Sequence, residues 1–322
     1  MSLSFKHALI ALDLSPASDV ILNGLPDFKM MGTRTVTLFT SVSVPHSGGL
    51  SSHDEQFYRE RLENYRVKIP GAKDLTIKVR ASFGIDTYPP QQILEAAHEV
   101  GADYIIAANR GQSRYKEVLL GSTISEVLHR CDLPVYLISL KFPSKKKKKE
   151  APVPSPEFVA PTGHRAFDHI LYPTDFSETA ERAFQVLFKL SALEKEVIGK
   201  NTGPSTRTIS LFHVQATSRI GMEDPKQLMK FNQIDLNRLQ ALKNQLWKAT
   251  DATIDIDVRK GSPAPEILAK AKEVESSLIL MGSQGRGFIK EMFLGGVTHQ
   301  VIRNADIPVL IIPADRSDEE AI

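Results

Sequence analysis

His7-Ala8-Leu9-Ile10-Ala11-Leu12-Asp13-Leu14-Ser15 returns further along the chain as His169-Ile170-Leu171-Tyr172-Pro173-Thr174-Asp175-Phe176-Ser177. Each stretch is an apolar run ending in Asp-x-Ser, the pattern of a buried strand that leads into a capped turn or helix. The repetition continues. Thr35-Val36-Thr37-Leu38-Phe39-Thr40-Ser41-Val42 answers Thr208-Ile209-Ser210-Leu211-Phe212-His213-Val214, and Leu75 to Arg80 answers Thr253 to Val258. Tyr104 to Ala108 and Leu278 to Met281 are continuous apolar runs, expected of central strands covered on both faces. Asp132-Leu133-Pro134 and Asp306-Ile307-Pro308 each open a closing strand, with proline at its start.

Between these strands the apolar period becomes helical. Ala180, Ala183, Phe184, Leu187 and Phe188 form one stripe, capped by Ser177 or Thr179. Leu228, Phe231, Leu239, Leu242 and Leu246 form a longer one. Ile93, Ala96, Ala97 and Val100 are matched by Ile267, Ala271 and Val274, and Ile124, Val127, Leu128 and Cys131 line a further helix. Strands alternating with helices predict βαβ units and parallel pairing. The expected fold is α/β: two repeated open five-stranded parallel-sheet domains, Rossmann-like, with helices on both faces. The expected boundaries are residues 1–141 and 164–315. A linker holding Lys145 to Lys149 and Pro152, Pro154, Pro156 and Pro161 would span 142–163, with an acidic tail over 316–322. A localisation signal or a contact with anionic lipid is the alternative reading of those lysines.

A length of 322 residues suits two cores better than one, and 42% hydrophobic with 24% charged residues describes a globular chain. The net charge of +2 gives no chain-wide footprint for nucleic acid. A single cysteine excludes an intrachain disulfide and a multi-cysteine zinc site, so Cys131 reads as core packing in a reducing cytoplasm. No apolar run approaches the length of a membrane span, and Asp13 stops the first one too early for a secretory signal.

Chemistry in an open parallel sheet belongs at the carboxyl ends of the strands, where strand order reverses. There the second copy carries Gly282-Ser283-Gln284-Gly285-Arg286-Gly287 and, after a nine-residue gap from Gly285, Gly295-Gly296-Val297-Thr298. The first copy carries Ala108-Asn109-Arg110-Gly111 and then Gly121-Ser122-Thr123 at the same spacing. Glycine lets a phosphate reach backbone N–H groups, and the N-terminus of the last helix favours an anion. Arg114, Lys116, Arg286 and Lys290 lie in the intervening loops and would add charge; solvated loop charge is the alternative for each. Tight turns alone also explain glycines. Recurrence in both copies at one spacing selects the phosphate reading.

The spacing resembles the universal stress protein family, whose ATP-binding members carry Gly-x2-Gly-x9-Gly followed by Ser or Thr, with an aspartate ending the first strand. The resemblance covers nearly the whole chain, twice. It implies that Pro173, Thr174 and Asp175 meet the adenosine and that Val214 borders the adenine. It further implies that Gly282, Gly285, Gly295, Gly296 and Val297 enclose the phosphates, with Met281 also among the nucleotide-binding residues. Asp13, Val42, Gly111, Gly121, Ser122 and Thr123 are the first-copy matches. ATP or AMP is the implied ligand, with Mg²⁺ as a further candidate. Ala108 replaces the first glycine in copy one, Ala11-Leu12 replaces Pro-Thr, and Gly296 stands where copy two should have a hydroxyl. Copy two is therefore the better match. Capping of the following turn is the structural alternative for Asp13 and Asp175.

No Gly-x4-Gly-Lys-Ser/Thr occurs, the nine histidines show no metal-ligand spacing, and no Ser-His-Asp set can be assembled. Ser47 to Ser52 reads as a flexible loop. The leading expectation is a nucleotide-responsive stress regulator, more sensor than enzyme. A slow ATP hydrolase or phosphotransferase with Asp13 or Asp175 on Mg²⁺, and an interaction module without nucleotide, are the alternatives. The resemblance also implies pairing of domains within the chain and in a homodimer, through the edge strands Val135 to Ser139 and Val309 to Ile312. A regulatory protein partner would read the bound state.

Overall fold

The computed structural model describes residues 4–44, 52–69, 74–85, 87–109, 121–141, 157–158, 167–197, 207–216, 225–285 and 294–314. Contacts divide the chain into the units Met1–Gly163 and His164–Ile322. In the first unit β1 (His7–Ala11) is followed by α1 (Pro16–Asn23), α2 (Leu25–Phe28), a 3-10 turn (Lys29–Met31) and β2 (Thr35–Val44). Then come α3 (Ser52–Lys68), β3 (Thr76–Ile85), α4 (Pro89–Glu99), β4 (Tyr104–Ala108), α5 (Ser122–Arg130) and β5 (Val135–Ile138). Their order across the sheet is β3-β2-β1-β4-β5, and every neighbouring pair is parallel. Beyond β5, β6 (Leu140–Lys141) pairs antiparallel with β7 (Glu157–Phe158), so part of the stretch expected as an extended linker is hydrogen-bonded.

The second unit repeats the plan. It runs β8 (His169–Pro173), α6 (Glu178–Val197), β9 (Thr208–Ala216), α7 (Pro225–Leu246), β10 (Thr253–Gly261), α8 (Pro263–Glu273), β11 (Leu278–Gly282), α9 (Gly296–Asn304) and β12 (Val309–Ile312). Its order is β10-β9-β8-β11-β12, again parallel throughout. Order reverses beside β1 and beside β8, so the crevice lies between the ends of β1 and β4 and between those of β8 and β11. The α/β class read from the sequence is the observed one.

The core follows from the period of each segment. β4, β5, β11 and β12 are buried at every position, as strands beneath helices must be. Each such Leu, Ile or Val removed from water contributes ~1.5–3 kcal/mol. Ile93, Ala96 and Ala97 of α4 and Ala264, Ile267 and Ala271 of α8 supply the apolar face of each helix, and each helix begins with proline in its first turn. Cys131 is buried, directly after α5, and its thiol donates to the Leu133 carbonyl at 3.3 Å.

Two expectations need correction. α7 buries Leu239, Leu242 and Leu246, but Phe231 is 43% exposed, beside Met229 at 72% and Ile234 at 39%. The first half of the helix therefore does not continue the stripe, and the side chain of Leu228 lies outside the described residues. The second concerns register. β1 sets His7 beside Thr35 and β8 sets His169 beside Thr208, so the two copies align residue by residue. Leu12 N–H donates to Phe39 O and Thr174 N–H to Phe212 O, both at 2.8 Å, which fixes that alignment beyond the strand ends. Val214 thus corresponds to Ser41, and Val42 to Gln215. A one-residue slip places Val42 on the opposite face of the strand from the position that Val214 occupies.

Candidate functional site

The turn after the first strand is built alike in both units. Asp13 Oδ1 accepts the Ser15 N–H and Asp175 Oδ1 the Ser177 N–H, each at 3.0 Å. The residue between is left-handed although it is not glycine: φ is 56° at Leu14 and 58° at Phe176. Such a backbone costs ~1–2 kcal/mol for an L-residue, and the aspartate bond helps to hold it. The turn-capping role of both aspartates is therefore real. Ser177, rather than Thr179, caps α6: its Oγ accepts the Ala180 N–H at 3.3 Å.

The fourth-strand loop is also closed identically. Gly121 N–H donates to Asn109 O at 3.0 Å and Gly295 N–H to Ser283 O at 2.8 Å, so the chain returns to the strand end just as the last helix starts. Neither helix has a side-chain cap, which leaves its first amides facing the crevice. Gly121 is partly exposed, Ser122 exposed and Thr123 partly exposed at the start of α5; Val297 is 37% exposed on α9. Gly111, Arg114, Lys116, Arg286 and Lys290 lie outside the described residues, as does Ser47 to Ser51.

The glycines divide by what a methyl group would meet. At Gly285 a Cβ would stand 2.6 Å from Asp175 Oδ2, so this glycine lets the loop after β11 close onto the carboxylate after β8. At Gly296 no atom of the described residues lies within 4 Å of where a Cβ would stand. Gly282 differs. Its Cβ would meet Thr179 Cγ2 at 2.8 Å and the Thr179 backbone at 3.0 Å, so the missing side chain serves the packing of β11 against the first turn of α6. Met281 and Pro173 are buried strand residues, Thr174 is buried, and Asp175 and Val214 are partly exposed.

Sequence reading missed a set of side chains beneath the second-copy turn. His213 Nδ1 lies 2.7 Å from Thr174 O and its Nε2 lies 3.5 Å from Asp235 Oδ2. Gln215 Nε2 donates to the same Asp235 oxygen at 2.8 Å. The Phe176 ring stacks obliquely on His213 at 4.8 Å, and Arg238 covers its other side at 5.2 Å. The available signal was a histidine and a glutamine inside an otherwise apolar strand. In the first unit the corresponding strand residues are Thr40, Ser41 and Val42, and they line a cavity of about 240 Å³ with Asp13, Tyr58 and Arg61. Among the described residues no cluster of His, Cys, Asp or Glu could hold a metal ion, and no helix is long and apolar enough to cross a membrane.

A doubly wound α/β unit is thus present twice, and in the second a glycine loop after the fourth strand closes onto an aspartate after the first. The universal stress protein family model matches residues 4–139 and again 166–313, and the chain belongs to that family. It is 31% identical over 159 residues to a universal stress protein of Methanocaldococcus jannaschii, spanning 47% of this chain and 98% of that protein. It is 23% identical over 302 residues to one of Mycobacterium tuberculosis, covering 92% of this chain and 90% of the other. The crystal structure of a universal stress protein from Archaeoglobus fulgidus shares the fold with a TM-score of 0.63 at 23% identity, over 98% of this chain and 99% of that one.

Proposed function

We propose that this stress-response family member is a cytoplasmic regulator that binds an adenine nucleotide, ATP or AMP, at the carboxyl ends of β8 and β11. The observation that carries the proposal is the closure of Gly285 onto Asp175, where a Cβ would lie 2.6 Å from the carboxylate, beside the backbone at Gly296. A ribose hydroxyl would donate to the Asp175 carboxylate. Phosphates would accept from the amides of Gly285, Gly296 and Val297, favoured by the helix dipole. Pro173, Thr174, Val214 and Met281 would form the wall beside them, while Gly282 and Gly295 shape the loop. Asp13, Ser41, Gly121, Ser122 and Thr123 would bound the equivalent place in the first unit, where Asp13 and Ser41 also line a cavity of about 240 Å³. Mg²⁺, a homodimer and a regulatory protein partner belong to the same reading.

Equilibrium binding of labelled ATP to the full chain tests it. Saturable binding with steady-state phosphate release near the uncatalysed rate is expected of a sensor. Multiple-turnover release would make the protein an enzyme, and absence of binding would leave an interaction module.

A further inference from the structure

We infer that His213 is a proton-dependent positioning residue for the strand end that carries Thr174 and Asp175, a role that rests on reading that end as the nucleotide site. A carbonyl oxygen only accepts, so the 2.7 Å contact with Thr174 O assigns the hydrogen to Nδ1. In the neutral ring Nε2 then presents a lone pair to Asp235 Oδ2 at 3.5 Å, between side chains only 9% and 14% exposed. That arrangement repels. A proton on Nε2 turns it into a charge-assisted contact and ties the end of β8 to α7 through one ring.

Among the described residues the charged groups around the ring are few. From α7 come Asp235 and Arg238, the latter 3.8 Å from Asp235 Oδ1. From the β8 end comes Asp175, next to the bonded Thr174. The neighbour on β10 is Val258, and Arg259 lies over Phe212, whose side chain leaves the opposite face of the strand. The Phe176 ring, on the left-handed residue of the site turn, packs between His213 and Arg238. Movement of the imidazole relative to Asp235 is therefore transmitted to both sides of Asp175.

Among the described residues the first unit has no histidine in this place. Buried Leu62 and Tyr65 on α3 and Ile69 just after it match the spacing of Leu239, Leu242 and Leu246 on α7, which makes Tyr58 the counterpart of Asp235 and Arg61 that of Arg238. There Thr40 replaces the histidine, and Arg61 donates to the Leu14 carbonyl at 2.5 Å.

Protonation of His213 tightens the brace and adds positive charge beside an anionic ligand, so both effects favour binding at lower pH. The test measures AMP affinity of the full chain at about pH 5.5 and about pH 8 for wild type, His213→Asn and Asp235→Asn. Asparagine keeps a donor towards Thr174 and removes the titrating nitrogen, and the titration of the AMP phosphate is common to all variants. Wild type should gain about tenfold over His213→Asn on acidification, the factor carried by one unit of coupled proton affinity, and Asp235→Asn should lose the same gain. Parallel profiles for wild type and His213→Asn would overturn the inference. If no variant binds AMP at any pH, the nucleotide reading itself fails. The backbone amides of Asp175 and Phe176 in the unliganded protein then decide: they should shift with pH in wild type and stay flat in His213→Asn, and equal shifts in both would refute the brace.

Discussion

The two turns after β1 and β8 share an aspartate, a left-handed residue and a serine, yet what lies under them differs. Beneath Asp13 the second strand offers Thr40 and Ser41 to a cavity of about 240 Å³, whereas beneath Asp175 it offers His213 to a network of Asp235, Gln215, Arg238 and Phe176. The same backbone has been kept while its lining changed from small hydroxyls to a charged, aromatic layer. Conservation of geometry between copies thus reports the scaffold, and the side chains below the turn report how each copy is used.

The largest expected effect that would break this comparison is at Gly285. Valine there drives the Asp175 carboxylate from its place, and adenylate affinity should fall about a hundredfold or more, about 2.8 kcal/mol. Retained affinity in Gly285→Val would mean that ligand sits elsewhere. Next comes Gly282→Ala, whose methyl meets the Thr179 backbone at 3.0 Å and its Cγ2 at 2.8 Å. Unfolding by urea should show a loss of ~1–3 kcal/mol, as overpacking does. Adding Thr179→Ala should restore only part, because the backbone contact persists; no loss at all would make Gly282 a ligand contact instead of a packing residue.

Smaller still is Tyr172→Phe. The Tyr172 hydroxyl donates to the Ala180 carbonyl at 2.6 Å and anchors the first turn of α6, and its removal should cost ~1 kcal/mol in the same assay. The smallest effect sharpens what the copies share. His7 Nε2 contacts Thr37 Oγ1 and His169 Nε2 contacts Ser210 Oγ, each at 2.8 Å, and burial is the first cause that lowers the pKa of both rings. The unfolded chain then binds protons that the folded chain resists, so stability falls as pH drops below the ordinary histidine value of about 6.5. Melting temperature should decline on acidification, less steeply in His169→Gln; identical slopes would remove this residue from the account.

The sheet was legible because runs such as Tyr104 to Ala108 and Leu278 to Met281 are apolar at every position, a pattern only a doubly covered strand satisfies. The Asp-x-Ser turns were legible for the same local reason. Val42 was misaligned because Phe39, like Phe212, is followed by a residue of either face type, and only cross-strand pairing fixes which one points to the crevice. Phe231 was placed inside because periodicity records spacing and not whether a neighbour arrives to cover it. Gly282 looked like Gly285 in sequence; what separates them is Thr179, a long way off in the chain and beside β11 in space.

The central claim is that ligand sits where the β11 loop closes onto the β8 turn. Titrating the isotopically labelled full chain with AMP and following backbone amides tests it most directly. The account predicts saturable shifts concentrated at Asp175 to Ser177, Ser283 to Gly285 and Gly295 to Thr298, lost in Gly285→Val. Saturable shifts that leave all three segments unmoved, or no shifts at any AMP concentration, would contradict it.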